Sequence, residues 1–276
     1  MKSPIPIADC HGHIGVHPDF PAYRFSVEQM VEAMDLLNIE VLAVTSTRAC
    51  YTDCPQGNRE VAEALKQFPH RFRGYITVNP RPGGEALKEL ERWKHFHSPP
   101  LVKLHPALHH YPVNGPGYQP IWEYAHQTEA IVLVHTWDSD PECSPLLLLD
   151  VARRFSKAKI LIGHSGVTWR GYLQACEVAR QTENTFLDIT GSQSHRTILE
   201  ILVERLGAER VLFGSDMPYL EAAIGLGRVL TARISDAAKE AILRENFLRL
   251  LGEERPGMIR REPASPAERQ GESSTH

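Results

Sequence analysis

The sequence predicts an α/β protein of one domain, a (β/α)₈ TIM barrel. Short apolar segments alternate with longer amphipathic segments, and the repeat averages about 30 residues. The chain has 276 residues, which suits a closed barrel of this kind. A doubly wound open sheet is the alternative. Its usual Gly-rich turn after the first strand is replaced here by the sequence DCHGHIG, so the barrel is preferred.

Eight apolar segments are the predicted strands. They are rich in Val, Ile, Leu and Phe, as strands buried on both faces should be. The predicted strands are 5–9, 41–45, 72–78, 101–105, 131–135, 159–163, 185–189 and 210–214.

The helices between them are marked by apolar residues three and four positions apart, as at Val61, Ala64, Leu65 and Phe68. A capping-box pattern, Ser26 with Gln29, opens the first helix. The last helix is expected to end at Gly252. The predicted helices are 26–37, 60–68, 85–93, 121–127, 145–154, 172–179, 197–206, 221–230, 235–244 and 246–250.

The chain is therefore divided into a barrel domain, 1–252, and a polar tail, 253–276. The tail is rich in Pro, Glu, Arg and Ser. We expect it to be disordered and to take no part in catalysis.

Composition excludes several classes of protein. Hydrophobic residues make up 42% and charged residues 23%, which is typical of a globular chain. The net charge of −4 gives no basic excess for nucleic acid. There is no apolar segment of about 18 residues for a membrane span and no signal core in MKSPIPIAD. We expect a cytoplasmic protein with a small-molecule partner, and a homo-oligomer is compatible with the sequence.

The five cysteines form an odd and scattered set, which does not suggest a disulfide framework. Reduced thiols are the prediction. A local metal or redox role remains the alternative for Cys50 and Cys54, which are four positions apart. The cysteines are Cys10, Cys50, Cys54, Cys143 and Cys176.

Polar residues cluster at the carboxyl ends of the predicted strands, and these ends meet at the mouth of a barrel. His11 and His13 are two positions apart on an extended chain, so both can face one centre. Burying several imidazoles with a carboxylate is costly unless a cation pairs them. The pattern therefore predicts a divalent metal site at the mouth. The residues at these ends are His11, His13, Lys103, His105, His135, His164 and Asp216.

The motifs resemble those of the amidohydrolase superfamily. They match in particular the amidohydrolase-related (amidohydrolase 2) branch, which includes aminocarboxymuconate semialdehyde decarboxylase. The resemblance rests on IADCHGHIG, VKLHP, VLVHT, IGHSG and LFGSDMP, and is supported by NREVAEALKQFPHRFRGYITVNP and ENFLRLLG. It covers about residues 5–251. The motifs are specific to the superfamily and not to one reaction.

The resemblance implies a role for each matched position. His11, His13 and His135 would be metal ligands, and Asp216 would be a ligand or lie beside the metal-bound water. His164 would act on water or substrate, or would bind a second metal in a binuclear site. A carboxylated Lys103 would bridge the two metals in that case. One metal ion is favoured, with Zn²⁺ as the default and Mn²⁺, Co²⁺ or Fe²⁺ as alternatives.

The chemistry of these residue types agrees with that implication. Three neutral imidazoles leave the ion charged, and an open position can bring bound water to a pKa of about 7. Asp216 could accept the proton and pass it to a leaving group. His164 could polarise a substrate carbonyl. This chemistry suits hydrolysis of an amide, ester or lactone, and also activation of an unsaturated acid before decarboxylation.

Further residues are weaker candidates, each with a structural alternative. Asp9 could orient a ligand histidine or accept backbone hydrogen bonds, whereas Cys10 faces the opposite way and is assigned to the core. The substrate-binding candidates follow predicted strands and could instead cap a helix or lie in solvated loops. They are His105, Lys103, Arg48, His195 and Trp137, with Arg196 and Tyr219 beside them.

Three functions are compared. A metal-dependent hydrolase is preferred slightly over a non-oxidative decarboxylase or hydratase, because the chain is short and its loops are modest. Decarboxylation would need cations near the substrate carboxylate, and sequence does not show whether Arg48, Lys103 and Arg196 converge. A barrel with a purely structural metal is least favoured, because such sites are normally closed by four ligands.

Overall fold

The structure is a computed structural model that describes residues 2–17, 20, 25–80, 85–191, 193 and 195–253. Its strands form two all-parallel sheets, one in the order β1–β2–β3 and one running from β4 to β9 in sequence order. The strands are β1 (Ile7–Ile14), β2 (Ile39–Ser46), β3 (Phe72–Gly74), β4 (Ile76–Thr77), β5 (Leu101–Leu104), β6 (Ile131–His135), β7 (Lys159–Gly163), β8 (Thr185–Asp188) and β9 (Val211–Leu212).

The two sheets are arcs of one barrel. They pass into each other at Tyr75, which separates β3 from β4, so the third predicted strand is present in two pieces. On the far side, backbone hydrogen bonds join β1 to the segment after β9, from Cys10 N to Phe213 O at 3.0 Å and from His13 N to Met217 O at 2.7 Å. These bonds complete the circle without a regular strand pairing, and the predicted barrel is confirmed.

Helices cover the outside of the barrel between consecutive strands. Short turns of other helix types add to them, a 3₁₀ turn at Pro145–Leu147 and a π-helical turn at Ala241–Glu245. The α-helices are α1 (Val27–Leu37), α2 (Thr47–Tyr51), α3 (Cys54–Gln67), α4 (Glu85–Trp93), α5 (Pro106–His109), α6 (Gln119–Thr128), α7 (Leu148–Arg154), α8 (Trp169–Arg180), α9 (Arg196–Leu206), α10 (Ala222–Thr231), α11 (Asp236–Glu240) and α12 (Asn246–Leu251).

The helix ends follow local capping chemistry. The capping box of Ser26 and Gln29 is present at the start of α1. Helix α3 begins earlier than predicted, because the Asp53 side chain accepts the N–H of Gln56 at 2.9 Å. The short helices α2 and α5 were not predicted. Each is a single turn that follows a strand, and such a turn has no apolar periodicity to reveal it.

The core has two layers. One lies between the strands and the outer helices, and the other fills the barrel interior. Ala8, Cys10 and Tyr75 belong to the interior layer, and Phe247 and Leu251 of α12 pack against the same layer. The last helix therefore contributes apolar side chains to the barrel interior. Because apolar layers cover both faces of the strands, the strand sequences are nearly continuous apolar runs.

All five cysteines are free, and the predicted reduced thiols are confirmed. Cys50 is buried, and its sulfur lies 3.8 Å from the Thr45 hydroxyl. Within the described ranges, no helix combines the length and the apolar character needed to cross a membrane. The predicted tail lies outside the described residues except for Glu253.

Glu253, which follows α12, is tied to the barrel. Its carboxylate accepts hydrogen bonds from Arg73 at 2.5 and 2.8 Å and lies 3.1 Å from His97 Nε2. Burial raises the pKa of Glu253, but the hydrogen bonds from His97 and Arg73 outweigh it and lower the pKa to about 2. The depressed pKa means that this contact stabilises the fold above the ordinary glutamate pKa of about 4.3 and is lost as pH falls towards 2.

We expect Glu253→Gln to lower the free energy of unfolding by about 1–2 kcal/mol at pH 7, because a charge-assisted pair loses its anion. Urea denaturation at pH 7 and at pH 3 measures the difference, which should shrink at the lower pH. Glu177→Gln is the control, because Glu177 and Arg180 form an exposed pair at 3.5 Å worth little. Equal effects of the two changes would contradict the prediction.

Candidate metal centre

His11 and His13 lie side by side on β1. Their Nε2 atoms are 3.3 Å apart, and both rings are buried. The strand runs on to Ile14, five residues beyond its predicted end. The extended backbone through both residues turns their side chains to the same face. The two imidazoles therefore lie on one face of the strand, with their Nε2 atoms adjacent.

The protonation of His11 follows from its partner Asp188. His11 Nδ1 lies 2.7 Å from Asp188 Oδ2, and a carboxylate can only accept. Nδ1 therefore carries the proton, and Nε2 presents a lone pair to the centre. His11 Nε2 lies 3.0 Å from Lys103 Nζ and 3.6 Å from Asp216 Oδ1.

Asp188 was missed by the sequence analysis. It is the last residue of β8, and its second oxygen accepts the N–H and the hydroxyl of Thr190 at 2.9 and 2.5 Å. Its Oδ2 also accepts the backbone N–H of His164 at 3.2 Å. The available signal was its place at the carboxyl end of a predicted strand, where the other site residues also lie. Asp9 does not orient a ligand ring: its Oδ1 accepts the N–H groups of His11 and Ser215.

Asp216 is turned into the site by an unusual backbone conformation. Its φ angle is 64°, in the left-handed region, and His164 has a φ of 59°. Such angles cost about 1–3 kcal/mol and concentrate at functional sites. The N–H of Asp216 donates to His11 O at 2.8 Å, and its Oδ1 lies 3.0 Å from His13 Nε2.

Gly214 makes room for this arrangement. A Cβ at this position would lie 2.0 Å from Thr190 Oγ1 and 2.3 Å from Asp188 Oδ1. Any larger residue would displace the carboxylate that holds His11.

Three side chains offer ligand atoms within 4.8 Å of one another, His11, His164 and Asp216, and this group could hold a metal ion. His13 adjoins it through its contact with Asp216. The predicted third nitrogen, His135, lies to one side. Its ring is stacked on His105 at 4.0 Å, and its centroid is 4.7 Å from that of His164.

The charge states of these groups suit a cation. Burial lowers the pKa of His11 and His13, and the charge of Lys103 lowers both further. Burial raises the pKa of Asp216, but the hydrogen bond from His13 and the nearby imidazoles more than reverse this, so its pKa is well below the usual value. Neutral imidazoles beside an ionised carboxylate are the donor set that Zn²⁺ and related ions prefer.

A cavity of about 340 Å³ opens above the cluster. Its walls are largely aromatic and apolar. None of the lining residues that the structure describes is an arginine or a lysine. The described lining is His13, His17, Phe20, Thr47, Cys50, Tyr51, His105, Leu108, His135, Trp137, His164, Val167, Gly191, Asp216, Tyr219 and Leu220.

Several predicted substrate-binding residues lie elsewhere. Arg48 pairs with Glu60 at 2.7 Å and lines a neighbouring groove, because the chain turns directly from β2 into α2. His195 is exposed and caps α9, where its ring accepts the N–H of Thr197. Lys103 is fully buried beneath His11 and does not appear in the described lining. His105 and Trp137 do line the cavity.

Comparison with known proteins agrees with the fold. The amidohydrolase family model matches residues 8–252. Among similar solved structures, 2,6-dihydroxybenzoate decarboxylase from Rhizobium has a TM-score of 0.71 at 16% identity, covering 91% of this chain and 99% of that chain. The structure of 5-carboxyvanillate decarboxylase from Sphingomonas paucimobilis has a TM-score of 0.70 at 17% identity, covering 91% of this chain and 100% of that chain.

A third similar structure is dihydroxybenzoic acid decarboxylase from Polaromonas sp. JS666, with a TM-score of 0.70 at 17% identity, covering 91% of this chain and 97% of that chain. It was solved with bound manganese and the inhibitor 2-nitroresorcinol. At these identities the likeness shows the barrel fold.

We expect Asp188→Asn to weaken divalent metal binding by about 10- to 100-fold, as loss of a partner that orients a ligand does. The amide is a weaker acceptor for His11 Nδ1–H and leaves the tautomer undetermined. Titration of Mn²⁺ and Zn²⁺ against a chromophoric chelator measures the change. Asp150→Asn, at an exposed position of α7, is the control. Equal affinities of the two variants would rule out this role.

Proposed function

We propose that this chain, which belongs to the amidohydrolase family, is a metal-dependent decarboxylase of a small aromatic or unsaturated carboxylic acid. One observation carries the proposal. Ligand atoms of His11, His164 and Asp216 lie within 4.8 Å of one another, and His164 and Asp216 line a cavity of about 340 Å³. That volume is at the small end of ligand pockets and suits a single-ring molecule.

One divalent ion would be held by His11, His164 and Asp216, with His13 and His135 as the further candidate ligands. His13 Nε2 supports this assignment, because it lies 3.0 Å from Asp216 Oδ1 and 3.3 Å from His11 Nε2. The donor set accepts Zn²⁺, Mn²⁺, Co²⁺ or Fe²⁺, and the manganese of one similar decarboxylase favours Mn²⁺. When bound, the ion would neutralise a substrate carboxylate or polarise a water molecule.

The cavity walls favour loss of carbon dioxide. Decarboxylation converts a localised carboxylate charge into a dispersed one, so an apolar surrounding helps the reacting state relative to the bound acid. Phe20, Trp137 and Tyr219 supply such a surrounding. The lining residues that the structure describes include no Arg or Lys. The positive charge that binds the substrate carboxylate would therefore come from the metal ion.

A proton must reach the carbon that loses its carboxylate. Asp216 is the candidate to relay it from a water molecule, because this carboxylate lines the cavity and is ionised. The similar decarboxylases support this reading, since they act on single-ring acids according to their names.

Hydrolysis of an amide, ester or lactone is the second candidate. The observation that favours it is the low pKa of Asp216, because an ionised carboxylate can take a proton from water and return it to a leaving group. His164 would then stabilise the developing oxyanion.

A substrate panel separates the two reactions. Hydroxybenzoates, unsaturated acids, lactones and anilides are incubated with protein reconstituted with Mn²⁺ or Zn²⁺. We expect CO₂ release from at least one acid, abolished by a chelator and restored by metal. Acid release from a lactone or anilide without CO₂ would favour hydrolysis. If the protein retains no divalent ion and gains no activity when one is added, both the decarboxylase and the hydrolase proposal are wrong.

We expect Asp216→Asn to lower kcat by about 10²-fold or more, because the proton carrier is removed. Steady-state kinetics on the best substrate of the panel measures this, with Asp150→Asn as the control. Metal content measured on the same sample separates loss of proton transfer from loss of the ion. A kcat near that of the unchanged protein would remove Asp216 from the mechanism.

A further inference from the structure

We infer that Tyr219 is a positioning residue for His13, and that it fixes this imidazole by ring stacking where His11 is fixed by a hydrogen bond. The inference rests on the proposed metal site, because the value of a fixed His13 lies in presenting Nε2 to an ion.

The two histidines of β1 are supported in different ways. His11 has Asp188 on its Nδ1. His13 Nδ1 is buried and has no hydrogen-bond partner among the described residues. Its Nε2 faces Asp216 at 3.0 Å and His11 at 3.3 Å. Hydrogen bonding therefore fixes only one edge of the His13 ring, and the rest of its orientation needs another contact.

Tyr219 supplies that contact. Its ring is stacked on His13 with centroids 4.5 Å apart and an angle of 30° between the planes. Aromatic pairs of this geometry attract each other beyond the effect of the area they bury. Tyr219 also stacks on Phe20, with centroids 5.2 Å apart and an angle of 19° between the planes. His13 thus packs against one member of a layered set of rings.

Tyr219 is itself held from two directions. Its hydroxyl hydrogen-bonds to Thr47 Oγ1, and the Thr47 hydroxyl donates to Ile14 O at 3.0 Å. Ile14 directly follows His13 on β1. The N–H of Tyr219 donates to Asp216 O at 2.8 Å. The stack is therefore tied to the strand of His13 and to the turn of Asp216.

A difference in donor strength follows from these supports. A carboxylate on Nδ1 raises the basicity of a ligand imidazole, and His11 has one. His13 has an aromatic face instead, which fixes direction without adding negative charge. The two imidazoles are therefore oriented by contacts of different chemistry.

Three variants test the role of the ring. Tyr219→Phe keeps the stack and loses the bond to Thr47, whereas Tyr219→Leu loses both. Trp137→Leu removes an aromatic side chain from the same cavity lining and is the matched control. The dissociation constants of Mn²⁺ and Zn²⁺ are measured by chelator competition, and the EPR spectrum of the Mn²⁺ form reports the symmetry of the ligand set.

We expect Tyr219→Leu to weaken metal binding about tenfold, and Tyr219→Phe and Trp137→Leu to stay within about threefold of the unchanged protein. The EPR spectrum should change only for Tyr219→Leu. If Tyr219→Leu binds both ions as tightly as Tyr219→Phe, the positioning role is overturned. Tyr219→Met, which fills similar volume without a ring, replaces the leucine variant if that one does not fold.

A measurement without metal separates this inference from the proposed function. The His13 ring carbon–proton NMR signal, assigned with His13→Gln, should be single and sharp in the metal-free protein and in Tyr219→Phe. It should broaden or split in Tyr219→Leu. If the unchanged protein binds no divalent ion, the proposed function fails and this signal alone decides the role of Tyr219. An equally sharp signal in Tyr219→Leu overturns it.

Discussion

The hydrogen bond between Asp188 and His11 Nδ1 is the interaction on which the site depends. It assigns the proton of a buried imidazole and so decides that Nε2 points a lone pair inwards. It also links the first strand to the eighth, because Asp188 ends β8 and His11 lies on β1. Through the backbone N–H of His164, the same carboxylate sets the position of a second imidazole.

The barrel supports this carboxylate with backbone features. Gly214 leaves space for Asp188 and Thr190, and the left-handed residues His164 and Asp216 turn sharply at the ends of their strands. The cost of such backbone angles is met by hydrogen bonds into neighbouring strands, of which Asp216 N to His11 O is one. A strained turn that is held on both sides gives a side chain little freedom, as a site that must present fixed ligand atoms requires.

The sequence predicted the barrel because strands buried on both faces leave a clear apolar pattern. It predicted that His11 and His13 lie side by side because residues two positions apart on an extended chain face the same side. Asp188 was missed because its importance lies in a contact with a residue 177 positions away, and no local pattern records such a contact. Arg48 and His195 are not among the described residues that line the cavity, for a related reason. The direction of a side chain after a strand depends on how the chain enters the next helix. Arg48 lies in α2, which begins directly after β2, and His195 is the N-cap of α9.

Two parts of the site, the end of β1 and the turn at Asp216, come from distant parts of the chain. Asp9 accepts the N–H of Ser215, 206 positions later, and His13 pairs through its backbone with Met217. During synthesis on the ribosome, the amino-terminal strand therefore has no partner for its outer edge until nearly the whole barrel has emerged. Contacts of such long sequence separation form late and slowly. His11 and His13 can therefore meet Asp216 only after the segment that contains Ser215 and Met217 has been synthesised.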